Sequence, residues 1–182
     1  MDTKEILLKA ALKVFAANGY HGSSVGDIAN EAKVSKALFY HYFDSKKDLL
    51  VIFAKQRLEE WTPLVENLET IQDPKERIIF LINFVLNEVE TRSEWLRFLY
   101  MLYLSTEGIH AIQEAMKKYK GRFDRLFAAE RRLYKDLGFT DPDDEAAYLR
   151  SVLQGISLEY LLCGENYPLQ TMKEKIIKRY LP

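Results

Sequence analysis

The sequence predicts an all-α protein of about nine helices, and three observations support this fold class. The 182 residues include only eight Gly and five Pro, so residues that interrupt helices are scarce. Leu, Ala, Lys and Glu, which favour helices, are abundant. Apolar side chains recur at steps of three and four residues in most segments, as on an amphipathic helix. With 48% hydrophobic residues, the chain can bury a real core.

The first helix is predicted over residues 3–18, where apolar residues from Ile6 to Phe15 form one stripe and Gly19 follows as a stop signal. The second begins at Ser24, because Asp27 stands three residues later, which is the spacing of a capping box.

Ser35 predicts the start of the third helix, which runs to about Tyr42. Ser45 and Asp48 repeat the capping-box spacing and predict a fourth helix that runs toward Thr70. Pro63 must either kink this fourth helix or begin a new one. The later helices are bounded mainly by Pro and Gly, and we expect them from Pro74, over 95–104, 107–137 and 143–163, and after Pro168.

Composition excludes several classes of protein. The longest nearly apolar run covers residues 78–86, about half of the roughly 20 residues that span a bilayer. The first 15 residues interleave charges with apolar positions, unlike an export signal. The single cysteine, Cys163, cannot form an internal disulfide. We therefore expect a cytoplasmic protein without membrane contact. The net charge of -1 neither supports nor excludes nucleic-acid binding.

A helix-turn-helix is predicted where two short helices flank the turn near "AKVS". Its second helix must have two faces, because "KVSKALFYHYFDSKK" has five ring-bearing residues in a row, from Phe39 to Phe43, followed by a pair of lysines. We expect Phe43 and either Leu38 or Phe39 to pack inward. The positions expected to face solvent or DNA are Lys36, Ala37, Tyr40 and His41, joined by Lys46 at the start of the fourth helix.

Residues 6–50, "ILLKAALKVFAANGYHGSSVGDIANEAKVSKALFYHYFDSKKDLL", resemble the DNA-binding domain of the tetracycline-repressor (TetR) family of transcription regulators. The motifs "GY", "S-V-x-D-I-A", "V-S-K", "Y-H-Y-F" and "S-K-x-x-L-L" are all in register. Three positions depart from the usual family pattern: Ser24 replaces a threonine, Lys33 a glycine in the turn, and Leu38 a small polar residue. Leu38 is expected to touch a thymine methyl group instead.

The resemblance implies a DNA-binding domain over residues 1–50 and an effector-binding and dimerisation domain over residues 51–182. It implies a regulator, expected to be a repressor, that leaves its palindromic or pseudo-palindromic operator when a small effector binds. When bound to DNA, such a protein would lie at the nucleoid. The DNA-binding residues that it implies are Ser24, Ser35, Lys36, Ala37, Leu38, Tyr40, His41, Tyr42 and Lys46.

The expected effector is hydrophobic, either apolar or aromatic, because the central helices are rich in aromatic residues. The effector could also be an acyl compound with an anionic headgroup. The candidate residues to bind that headgroup are Arg97, Arg122 and Arg125. Effector binding is hypothesised to shift the fourth helix near Thr62 and Pro63 and so to change the spacing of paired recognition helices. The candidate pocket residues are Phe80, Phe84, Phe98, Tyr103, Phe123, Phe127 and Tyr148.

A homodimer is predicted from a stripe of small residues, Ala147, Ser151 and Gly155, which recur every four residues. The stripe would admit a second copy of the chain or, equally, this chain's own last helix. Apolar residues that would extend a dimer interface are Leu158, Leu162, Met172 and Ile176.

Two other classes of protein are alternatives. An enzyme is disfavoured, because the sequence lacks a Gly-rich phosphate loop and a nucleophile motif, and no cofactor is expected. Glu107 and His110 have the i, i+3 spacing of di-iron sites, but a second such pair is missing. The second alternative is a helical protein-binding adaptor, or an activator-type regulator without an effector. Its cationic residues would be Lys117, Lys118, Lys120, Arg122, Arg125, Arg131 and Arg132.

Overall fold

The computed structural model describes residues 2–181, and over that range the chain forms α-helices, one short 3-10 helix and no strand. The predicted all-α fold class is confirmed. The eleven α-helices in this range are α1 Thr3–Asn18, α2 Val25–Glu31, α3 Lys36–Tyr42, α4 Lys46–Glu60, α5 Thr62–Thr70, α6 Pro74–Thr91, α7 Ser93–Leu104, α8 Thr106–Lys118, α9 Lys120–Asp136, α10 Pro142–Cys163 and α11 Leu169–Tyr180.

Two of the nine predicted helices are each divided in the structure. The predicted fourth helix ends at Glu60, and α5 starts at Thr62 with Pro63 in its first turn, where the missing proline N–H costs no hydrogen bond. The prediction of a single helix over 107–137 is wrong. Tyr119 leaves the helical conformation (φ -111°, ψ 29°) and separates α8 from α9. Neither proline nor a cap residue marks this second break.

The first of two compact units contains the chain up to Arg57 together with Glu94–Tyr119. Its centre is a cluster of aromatic rings from α1, α4 and α7. Phe98 is fully buried there, with its ring centroid 5.8 Å from that of Phe15 and 4.9 Å from that of Phe53. Trp95 also contacts Phe98, at 5.4 Å between ring centroids. Helices that are distant in sequence therefore share one core.

The second unit contains Leu58–Ser93 and the chain from Lys120 onward. Helix α6 packs against α5, α9, α10 and α11. Arg77 of α6 is 4% exposed, and its Nη2 donates to Asp136 Oδ2 of α9 at 2.7 Å. The hydroxyl of Tyr180 in α11 donates to Glu145 Oε1 of α10 at 2.6 Å. Over residues 2–181, no helix combines the length and apolar character needed to cross a membrane.

The turn between α2 and α3 contains the one non-glycine residue with positive φ in the described chain, Lys33 at φ 57°. Left-handed backbone costs an L-residue roughly 1–2 kcal/mol, a strain that a glycine at this position would avoid. The turn is closed by two backbone bonds, from the N–H of Lys33 to the carbonyl of Asn30 and from that of Val34 to the carbonyl of Ala29.

Lys33→Gly is expected to raise the free energy of unfolding by up to about 1 kcal/mol, because the relief of strain exceeds the added entropy of the unfolded chain. Lys33→Val is expected to lower it by about 1 kcal/mol or more, because a β-branched side chain tolerates this conformation poorly. Thermal melts followed by circular dichroism compare the three proteins. A glycine variant less stable than the parent would contradict this account of the turn.

Candidate nucleic-acid interface

The start of α2 is fixed by the predicted capping box. The N–H of Asp27 donates to Ser24 Oγ at 3.1 Å, and the N–H and hydroxyl of Ser24 both donate to Asp27 Oδ2 at 2.7 Å. These hydrogen bonds from Ser24 hold the pKa of the Asp27 carboxyl below its usual range. Both donors of Ser24 are therefore engaged within the protein, although Ser24 itself is exposed.

Helix α3 has the two faces that the sequence predicts. Ser35 Oγ accepts from the N–H of Leu38 at 3.1 Å and caps its start. On the inner face, Phe39 is 0% and Phe43 is 3% exposed, with ring centroids 5.3 Å apart. Tyr40, by contrast, is 56% exposed. The sequence left Leu38 and Phe39 as alternatives for the inner position, and the structure buries Phe39.

The nine residues implied to contact DNA fall into two groups by exposure. The exposed ones are Ser24, Ser35, Lys36, Ala37, Tyr40 and His41. The half-buried ones are Leu38, Tyr42 and Lys46. The structure therefore brings the N-terminal positions of α3 and the ring tips of Tyr40 and His41 to the protein surface, where a groove of DNA can reach them.

Lys46 is turned toward the loop between α1 and α2. Its Nζ donates to the carbonyl of Tyr20 at 2.6 Å and to that of Ser23 at 2.7 Å, and lies 4.1 Å from the Tyr20 ring centroid. Burial lowers the pKa of this ammonium. Lys46 thus fixes the loop that leads into α2 and uses two of its three N–H donors within the protein.

Sequence analysis missed a contact between this same loop and α8. His21 Nε2 lies 2.9 Å from Glu107 Oε2. The two residues are 86 positions apart, so no local spacing could have signalled the pair. The sequence spacing pairs Glu107 only with His110, as part of a metal site. Among residues 2–181, no group of three or more His, Cys, Asp or Glu side chains is placed to hold a metal ion.

Much of the cationic series proposed for an adaptor is neutralised within the protein. Arg125 Nε donates to Glu69 Oε1 at 2.8 Å, and Arg131 Nε donates to Asp143 Oδ1 at 2.8 Å. Lys120 pairs with Asp124 at 2.7 Å. Longer pairs join Arg122 to Glu59 at 3.6 Å and Arg132 to Asp136 at 3.8 Å. The series is therefore not a continuous positive surface for an acidic partner.

The seven aromatic candidates for an effector pocket do not form one cluster. Phe98 belongs to the buried core of the first unit, and Tyr103 of the same unit is exposed. In the second unit, Phe80 and Phe84 form a ring pair at 6.0 Å, and Phe123 and Phe127 form another at 6.2 Å. The last candidate is Tyr148, whose ring lies under Arg179.

Phe127 lines a surface cavity of about 250 Å³ between α9 and α10. Arg150 also lines this cavity, with its guanidinium 5.6 Å from the Phe127 ring centroid, and pairs with the buried carboxylate of Glu130. Burial raises the pKa of Glu130. The cation at this cavity is thus paired with a carboxylate of the same chain.

The small-residue stripe of α10 is exposed along its whole length. Ala147, Ser151 and Gly155 are exposed, and a Cβ added at Gly155 would meet no atom within 4 Å. Leu158 is 43% and Leu162 is 72% exposed on the same face. Within the described chain, α11 therefore does not cover this stripe. Of the other candidates, Met172 is half-buried and Ile176 is buried inside the protomer.

Comparison with known proteins gives a family for the first helices. Residues 7–51 match the family model described as "Bacterial regulatory proteins, tetR family". The chain is 28% identical over 146 residues to the HTH-type transcriptional regulator HbdR of Aromatoleum sp. (strain CIB), covering 79% of this chain and 62% of HbdR. It is 32% identical over 78 residues to the fatty acid metabolism regulator protein of Bacillus subtilis (strain 168), covering 42% and 40% of the two chains. This chain thus spans less than two thirds of each relative.

Solved structures share the fold of this chain over nearly its whole length. The crystal structure of the transcriptional regulator FadR from Bacillus subtilis in complex with stearoyl-CoA matches with a TM-score of 0.78, covers 97% of each chain and is 19% identical. At this level of identity, the likeness shows the fold alone. The resemblance read from the sequence motifs is confirmed.

Proposed function

Because this chain carries an N-terminal domain of the tetR family of bacterial regulatory proteins, we propose that it is a DNA-binding transcription regulator. The observation that carries the proposal is the two-faced α3. Buried Phe39 and Phe43 fix the helix, while Lys36, Ala37 and Tyr40 face outward. In a helix-turn-helix, the N-terminal residues of the second helix contact base edges and neighbouring side chains contact phosphates.

The protein would bind its operator as a homodimer, because a two-fold protein matches a palindromic or pseudo-palindromic site. The exposed stripe of α10, from Ala147 to Leu162, supports this. Its small residues allow close approach of a second backbone, and its leucines supply apolar surface. Recognition helices about 34–36 Å apart would reach successive major grooves. Bound to DNA, the regulator would act at the nucleoid.

Leu158→Glu is expected to raise the dimer dissociation constant by at least about 30-fold, because a charge would be buried at the centre of the interface. Leu104→Glu is the matched control, since Leu104 is 86% exposed and lies outside the stripe. Sedimentation equilibrium over a concentration series measures both variants. Equal dissociation constants for the two variants would place the dimer interface elsewhere.

The regulator is expected to be a repressor that a small hydrophobic effector, apolar or aromatic, releases from DNA. The half-buried rings of Phe80, Phe84 and Phe123 on α6 and α9 support an effector of this kind. Acyl compounds are included, since a protein of the same fold was crystallised with stearoyl-CoA. An anionic headgroup at Arg122 or Arg125 would compete with the carboxylates of Glu59 and Glu69.

Selection of genomic fragments by the purified protein, with and without small-molecule extracts, tests the function. We expect enrichment of fragments with an inverted repeat, and release of those fragments by an extract that contains the effector. Tyr40→Ala should remove the enrichment without changing the fold, because Tyr40 is exposed. Enrichment that survives this substitution would mean that the protein binds DNA through a surface other than α3. Enrichment without any release would favour an effector-free regulator.

A further inference from the structure

The less buried face of α6 carries a polar side chain, Asn83, beside two aromatic residues, Phe80 and Phe84. Ile78, Ile82, Leu86 and Val89 form the buried face, and Asn83 lies on the opposite side of the helix with Phe80 and Phe84. All three of these residues are half-buried, whereas other positions of that face are exposed, namely Glu76, Asn87 and Glu90. The middle of the face is therefore more shielded than its ends.

Asn83 has an unsatisfied acceptor in this shielded region. Its Oδ1 atom is buried and, among residues 2–181, has no hydrogen-bond partner. Such an atom has lost its hydrogen bonds to water without replacement, which costs folding free energy. Asn87, one turn later on the same face, is exposed. The cost is thus specific to position 83, and it is removed if a bound molecule supplies a donor.

We propose that Asn83 determines which effectors the protein accepts. The effector would have an aromatic or apolar body that packs against the Phe80 and Phe84 rings, which are 6.0 Å apart. It would also carry one hydrogen-bond donor, a hydroxyl or N–H group, which donates to Asn83 Oδ1. Molecules of the same shape without the donor leave that oxygen unsatisfied and bind weakly. This inference rests on the effector-binding part of the proposed function.

The first test needs no ligand. Asn83→Leu replaces the unsatisfied amide by an apolar group of similar size and is expected to raise the melting temperature by about 2–6 °C. Asn87→Leu is the matched control on the same helix and is expected to leave the melting temperature unchanged. A melting temperature that stays the same or falls in Asn83→Leu would overturn the assignment of Asn83 as an unsatisfied group.

The second test uses two probes that differ in one hydrogen-bond donor, 1-naphthol and 1-methoxynaphthalene, and measures their binding by calorimetry to the full chain without DNA. We expect the parent protein and Asn87→Leu to bind 1-naphthol at least about tenfold more tightly. Asn83→Leu should bind the two probes equally. Equal binding of the probes by the parent, or binding of neither, overturns the proposal. Because DNA is absent, this result is independent of the operator selection that tests the regulator itself.

Discussion

Ala37→Asp is expected to weaken operator binding by at least about 100-fold while leaving the melting temperature unchanged or slightly higher. Ala37 is exposed near the start of α3, so an added carboxylate would face DNA phosphates, and apposed like charges cost several kcal/mol. The same carboxylate at the N-terminal end of a helix interacts favourably with the helix dipole. The substitution therefore separates loss of binding from loss of folding.

Fluorescence anisotropy with a selected operator fragment measures the affinity, and circular dichroism measures the melting temperature. Ala128→Asp is the matched control, because Ala128 is an exposed alanine on α9. It should leave operator affinity within about twofold, since a remote surface charge is screened by salt. If both variants bind DNA equally well, α3 does not enter the groove and the proposed function loses its main support.

The second large effect is expected in the second compact unit. Asp136→Asn should lower the free energy of unfolding by about 3 kcal/mol, because it leaves the guanidinium of Arg77 buried without its counter-charge. The side chain of Arg77 is 5% exposed and that of Asp136 is 36% exposed. Arg77→Met should cost less, about 1 kcal/mol, since the carboxylate left behind remains partly solvated and the new side chain still fills the space.

Thermal melts should show a fall of about 6 °C or more for Asp136→Asn. Asp124→Asn is the control, because it removes the exposed pair between Lys120 and Asp124, and such surface pairs contribute roughly 0–1 kcal/mol. A fall no larger than that of the control would mean that Arg77 is solvated in the native state.

The features that could be predicted from the sequence are local ones. The capping box at Ser24, the cap at Ser35 and the ring spacing of α3 each lie within a few residues, so Ser24, Ser35 and Phe43 suffice to place helix starts and faces. The break at Tyr119 was missed because propensity alone does not stop a helix there. The pairs of Arg77 with Asp136 and of His21 with Glu107 were missed for a different reason. The first pair is separated by 59 positions in the sequence and the second by 86 positions. Only the folded chain brings these residues together.

Phe98 and Trp95 complete the aromatic core that Phe15 and Phe53 begin, and this arrangement has a consequence during protein synthesis. The ribosome releases the first four helices well before residues 95–98 emerge, so the newly made N-terminal segment must wait with part of its core uncovered. Nascent chains shortened before residue 95 should therefore bind chaperones and be cleaved by proteases, whereas chains extended past α8 should resist both.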